Sequence, residues 1–120
     1  MEVPILKQGK VLIPTIQAAL SDADLESLRR GLVQQVVRFR SLGVIVDVTS
    51  MDVMDSFASR TLREIAHMIR LRGAETVIVG IQPEVALAMV QLGLTREDVS
   101  TALDLEEGLE YLNKKFKSPN

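Results

Sequence analysis

The apolar positions along the chain change period several times, and each change marks an element. Pro4 to Lys7 and Val11 to Ile16 are short apolar runs on either side of Gly9, and they read as two strands joined by a turn. Pro14 lacks an amide, which predicts an edge position or a bulge for the second strand. From Ser21 the period lengthens. Leu25, Leu28, Leu32, Val36 and Phe39 recur at steps of three and four, predicting a helix to about Arg40. Ser21 suits its N-cap, and Asp22 and Asp24 suit its positively polarised first turn. Gly43 closes that unit, and Val44 to Val48 is a continuous β-branched run of the kind buried on both faces of a central strand.

The second half repeats the alternation. Phe57, Thr61, Leu62, Ile65, Met68 and Ile69 give one helical face, opening at Asp55-Ser56 and closing near Gly73. Thr76 to Val79 reads as a fourth strand. Pro83 fits the first position of another helix, where its missing amide costs nothing, and Val85, Leu87, Met89, Val90 and Leu92 carry that helix to Gly93. Thr95 to Asp98 reads as a turn and Val99 to Leu103 as an edge strand. Asp104 with Glu107 is a variant capping box, after which Leu105, Leu109, Leu112 and Phe116 face inward from a last helix. The tail from Lys117 to Asn120 is expected to fray. The pattern predicts an α/β fold in one domain over residues 1–120: a mixed β-sheet of four to five strands with an N-terminal hairpin, and four helices. In such sheets partners and ligands meet the loops at the carboxyl ends of the strands. Here those are Asp47 to Asp55 and Gly80 to Pro83.

Composition removes most function classes. The 120 residues contain 47% hydrophobic and 25% charged positions with a net charge of −2, an ordinary globular balance without the basic footprint of a nucleic-acid binder. The arginines are not interleaved with aromatics, and they read as solvated helix faces. Cysteine is absent, so there is no disulfide framework, thiol nucleophile or thiolate metal site. Neither a secretory leader nor a run of about 20 apolar residues is present, so a soluble, cytoplasmic protein is expected. The sole histidine, His67, falls mid-helix about 15 Å along the axis from Ser56, too far for a Ser-His-Asp arrangement, and reads as a surface or boundary residue. Neither phosphate-cradling glycine fingerprint occurs. Asp47, Asp52 and Asp55 lack the dense spacing of a calcium loop. No enzyme, cofactor or metal site is expected.

What remains is the loop after the central strand. Asp55 is a natural N-cap, and Ser56 then becomes the first helical residue. One reading is that this is a helix start and nothing more. The other notes the alternation Met54-Asp55-Ser56-Phe57 and places Met54 and Phe57 on either side of a docking patch with Ser56 at its centre. Phosphorylation of Ser56 would add about −1.5 to −2 charge. The helix N-terminus tolerates that charge, whereas an apposed partner, or Asp47, Asp52 and Asp55, would not. Ser59 and Thr49 are competing hydroxyls. Ser59 ranks low because three residues into the helix it is expected to bond back to a carbonyl, and Thr49 because it shapes the loop.

Several segments together carry a resemblance: Val44-Ile45-Val46-Asp47-Val48-Thr49-Ser50, Met54-Asp55-Ser56-Phe57, Gly80-Ile81-Gln82-Pro83 and Thr101-Ala102-Leu103-Asp104-Leu105-Glu106-Glu107-Gly108-Leu109. The chain resembles, over nearly its whole length, a STAS domain, the fold of bacterial anti-sigma-factor antagonists. Within that family it is most similar to the small stressosome scaffold proteins. The resemblance implies that Ser56 is the phosphorylated serine, with Asp47, Thr49, Met54, Asp55 and Phe57 as partner-binding residues. The implied partners are a cognate serine kinase of the RsbT type, held until Ser56 is modified, RsbR-type STAS proteins, and further copies in a large assembly. Phe57 and Ala58 replace the small residue and glycine of the commoner D-S-[ST]-G antagonist pattern, which favours the scaffold subgroup. A small-ligand or nucleotide-binding STAS module is the alternative, using the floor formed by Asp47 to Ser50 and Gly80 to Gln82.

Overall fold

The computed structural model describes residues 3–17 and 20–116; the tail from Lys117 to Asn120 lies outside them. Nine elements follow in order: β1 (Ile5–Gln8), β2 (Val11–Pro14), α1 (Asp22–Phe39), β3 (Gly43–Asp47), α2 (Ser56–Leu71), β4 (Glu75–Val79), α3 (Pro83–Gln91), β5 (Ser100–Ala102) and α4 (Leu105–Phe116). They form one five-stranded sheet in the order β1-β2-β3-β4-β5. Only β1 and β2 are antiparallel; the remaining pairs are parallel. The mixed α/β sheet with an N-terminal hairpin and four helices is the expected one.

The β-branched run of β3 supplies both cores. Val44 and Val46 face α1, α2 and α3, joining Leu32, Leu62, Ile65 and Val85. Ile45 points the other way, with Ile13, Val77 and Val79, onto Leu112 of α4. Strand side chains alternate between faces, so only a strand covered by helices on both sides can be apolar at every position. The close seat of α4 depends on Gly108, where a Cβ would lie 3.0 Å from Val79 Cγ1.

Helix termini follow the sequence signals. The Ser21 side chain accepts from the Asp24 amide at 3.1 Å and the Asp24 carboxylate accepts from the Ser21 amide at 3.1 Å, a reciprocal box. At α4 the Glu107 amide donates to Asp104 at 2.9 Å, but the Glu107 carboxylate reaches one residue further back, to the Leu103 amide at 3.0 Å.

Two expectations, on Pro14 and Phe39, are corrected. Pro14 lies in neither an edge strand nor a bulge. β2 is paired on both sides, and its register with β3 is the same at Val11–Gly43 and at the Thr15–Asp47 bridge beyond the proline. The ladder skips the missing amide without slipping. Phe39 belongs to no buried stripe: it lies at the end of α1, 36% exposed, with Lys7 Nζ 5.2 Å from its ring centre. Leu87 and Val90 are 60% and 76% exposed, because α3 joins the main core through Val85 and Met89, with Ala88 partly buried beside them.

Candidate functional site

The carboxyl ends of β3, β4 and β5 bring three loops together. In the first, the Thr49 amide and Oγ1 both donate to Oδ1 of Asp47, at 2.9 and 2.6 Å, so the carboxylate that ends the strand folds the turn after it. The Val48 amide donates to the Val79 carbonyl at 3.0 Å, and Gln82 Nε2 donates to the Thr49 carbonyl at 2.6 Å. These bonds fasten the β3–α2 loop to the β4–α3 loop. Gly80 makes that approach possible. Its φ is +75°, which disfavours any L side chain, and a Cβ there would overlap Thr49 Oγ1. The third loop joins through the Gly80 amide, which donates to the Leu103 carbonyl at 3.1 Å.

The β3–α2 loop is then pinned from below. Met51 and Met54 are each 5% exposed and join the main core, while Asp52 and Val53 between them face water. Met54 therefore does not flank an exposed patch as the alternation suggested; burying both methionines turns the intervening pair outward. Phe57 is half-buried against the same core. The exposed apolar residue next to Ser56 is Val53, at 71%. Leu103, at 75%, marks the third loop. Val53 was not recognisable from periodicity, since two residues between two methionines carry no helix or strand repeat.

Asp55 is the N-cap of α2, in extended backbone, and its Oδ1 accepts from the Ala58 amide at 2.8 Å. Ser56 is exposed as the first helical residue, and its side chain makes no hydrogen bond with any described residue. Capping and hydroxyl availability are thus divided between adjacent residues. The competing hydroxyls fare differently. Ser59 is 2% exposed and its Oγ has no partner, so burial rather than a back-bond to a carbonyl removes it. Thr49 shapes the loop, through Asp47.

From Ser56 the α2 surface runs through Arg60, Arg63, His67 and Arg70 at steps of four and three, one stripe of the helix. Its lower part grips the segment between α3 and β5. Arg63 Nη2 donates to the Leu92 carbonyl at 3.2 Å, and Arg70 Nη2 to the carbonyls of Glu97 and Asp98 at 2.7 and 2.9 Å. His67 Nε2 lies 2.9 Å from Asp98 Oδ1. Hydrogen bonding from Thr95 holds the Asp98 carboxyl below its ordinary value of 3.8 against the opposing effect of burial, with His67 and Arg63 adding to the lowering. His67 is exposed, as expected, but its role in tying down this segment was not visible in the sequence, because Asp98 lies 31 residues away.

A recess beside the cap, between Gln17, Leu25, Val53 and Asp55, encloses about 120 Å³, below the ~300–1,000 Å³ usual for small-molecule sites. Among the described residues no helix is long and apolar enough to cross a membrane, and no group of three or more His, Asp or Glu is placed to hold a metal.

The profile of the STAS domain matches residues 2–108. The RsbT co-antagonist protein RsbRA of Bacillus subtilis strain 168 is 31% identical over 99 residues, covering 82% of this chain and 35% of its own. The chain thus spans about a third of the length of the curated co-antagonist relatives it matches. A solved serine-to-glutamate variant of Moorella thermoacetica RsbS superposes with a TM-score of 0.87 at 29% identity, over 97% of this chain and 98% of that one. A chain from the molecular architecture of the stressosome gives 0.84 at 30% identity, over 96% and 100%. With the sheet order, the three joined loops and the helix that opens on Asp55-Ser56 in place, this chain belongs to the STAS-domain family.

Proposed function

We propose that this domain is a non-catalytic stressosome scaffold, an anti-sigma-factor antagonist of the RsbS kind. It holds a serine kinase of the RsbT type on the surface around Ser56 and releases it when Ser56 is phosphorylated, thereby controlling a stress-response pathway. It works in the cytoplasm within a large assembly of its own copies and RsbR-type STAS proteins. The observation that carries this reading is the division of labour at the start of α2: Asp55 caps the helix, leaving the adjacent Ser56 hydroxyl exposed and without a hydrogen bond to any described residue. A kinase active site can reach that oxygen, and a phosphate there leaves the cap in place. The likeness to an RsbS variant altered at a serine supports the assignment.

Release follows from desolvation. A partner covering Ser56 also covers Val53 and the edge of Phe57, an apolar contact. A phosphate of about −1.5 to −2 charge beneath it must lose much of its water, at a cost of several kcal/mol. Asp47, Thr49, Asp55 and Phe57 belong to the docking surface, and Met54 supports it from beneath.

The test uses purified protein, the cognate kinase and ATP. Mass spectrometry should place one phosphate on Ser56, and the modified protein should no longer retain the kinase on a surface or column. Phosphate on another residue overturns the site, and undiminished retention overturns the switch. Calorimetric titration with nucleotides addresses the ligand-module alternative: binding tighter than about 100 µM, ~5.5 kcal/mol, would favour it.

A further inference from the structure

A phosphate on Ser56 arrives among carboxylates. Asp52 and Asp55 are exposed immediately before it in the loop, and Glu84 is exposed in the first turn of α3. Asp47 lies deeper, half-buried and engaged by Thr49. The domain must offset this repulsion if the modified form is to stay folded with its charge in place. The first-turn amides of α2 contribute, but Asp55 already occupies that of Ala58.

The stripe below Ser56 holds the other contribution. Arg63 and Arg70 are committed to carbonyls of the α3–β5 segment. Arg60 is different: it is exposed and makes no hydrogen bond or ion pair with any described residue. It stands four residues after Ser56, a separation that puts the two Cβ atoms about 6 Å apart on one face of the helix. The order is the favourable one, with the anion toward the N-terminus and the cation one turn on. A planar guanidinium can meet two phosphate oxygens at once.

We propose that Arg60 receives the Ser56 phosphate, closing a phosphoserine–guanidinium pair across the first turn of α2. The pair rests on the assignment of Ser56 made above. Before modification, Arg60 offers a cation that no described residue engages to whatever docks beside Ser56. Afterwards it is withdrawn from that surface and bound within the domain, so one modification both adds an anion and removes a docking group.

The experiment installs phosphoserine at position 56 of the full chain during translation, without a kinase, and follows the second ionisation of the phosphate by phosphorus NMR. Arg60→Ala should raise that pKa by about 0.3–0.6 unit relative to the otherwise unaltered phosphoprotein, the scale of one charge-assisted i,i+4 pair. Arg60→Lys should restore part of the difference, as a point charge without the fork. About 0.5 M salt should shrink it. Arg72→Ala, an exposed arginine just beyond the far end of the same helix, should leave the titration in place. The proposal is overturned if Arg60→Ala titrates within about 0.1 unit of the parent, or if Arg72→Ala moves it as far. Because no kinase is involved, failure here removes only the pair, whereas phosphate on another residue in the kinase assay removes the switch.

Discussion

Replacing Asp55 and Ser56 one at a time separates a helix start from a switch. Asp55→Ala deletes the 2.8 Å bond from the Ala58 amide, the side-chain cap of α2. Loss of such a cap costs about 1–2 kcal/mol, and for a chain of this size that lowers Tm by roughly 3–8 °C. Asp55→Asn keeps an accepting oxygen and should recover most of the loss. Ser56→Asp has no bond to break. Its added carboxylate gains about 0.3–1 kcal/mol from the helix N-terminus and loses a comparable amount to Asp52 and Asp55, leaving stability within about 0.5 kcal/mol of the parent. Kinase capture should rank the variants in the opposite order. Measured by surface plasmon resonance at a temperature where every variant is folded, Ser56→Asp should bind at least about tenfold more weakly, or ~1.4 kcal/mol, and Ser56→Ala should bind like the parent. Thermal and urea unfolding supply the other axis. If Ser56→Asp unfolds as early as Asp55→Ala while capturing the kinase normally, the loop is only a helix start and the switch is refuted.

Three further outcomes follow from the same geometry. Gly80→Ala should cost about 2–4 kcal/mol, combining a left-handed backbone that L residues resist with a Cβ that overlaps Thr49 Oγ1; adding Thr49→Ala should return part of it in a double-mutant cycle, and strict additivity would contradict the overlap. Burial raises the Glu75 carboxyl, but hydrogen bonds from Tyr111, Lys115 and Ser100 outweigh it and hold the group below its ordinary 4.5. Its contribution is therefore complete above pH ~4.5 and lost as pH falls through the lower folded value, so Glu75→Gln should flatten the decline of Tm in that acid range. Met54→Ala should lose about 2–5 kcal/mol as a core truncation yet keep kinase affinity while folded; lost affinity with unchanged stability would return Met54 to the surface.

The fold was legible where period and punctuation agreed. The uninterrupted β-branched run of β3 implied a strand covered on both sides, and Ser21, Gly43, Pro83 and Asp104 marked boundaries. Errors arose where local rules met neighbours far away in sequence. Pro14 announced an edge, but the parallel ladder with β3 passes over it in unchanged register. At the site, Asp55 and Ser56 were readable because capping chemistry is local. Met54 was misplaced because alternation over four residues describes a strand, and this segment is a loop anchored by two methionines. The Gln82–Thr49 and His67–Asp98 bonds span 33 and 31 residues, and no pattern short enough to read along the chain contains both ends.

The same division explains how one charge can act without unfolding the domain. Along α2, Leu62, Ile65 and Ile69 are each at most 1% exposed, and full burial of such side chains is worth about 1.5–3 kcal/mol apiece. A charge at the helix start contributes about 1 kcal/mol at most, and it is favourable there. The body of the helix therefore outweighs any change at its tip several-fold, and the monomer is insensitive to modification of Ser56. In the proposed complex, a partner docked over Ser56 has no such reserve. It must strip water from the phosphate over Val53 and Phe57, and a penalty of only about 4 kcal/mol is close to a thousandfold in affinity. The interface, with the smaller margin, gives way first. That ordering holds only while Met51, Met54 and the Asp55 cap keep the loop rigid, because a mobile loop would swing the phosphate into water and spare the partner the cost.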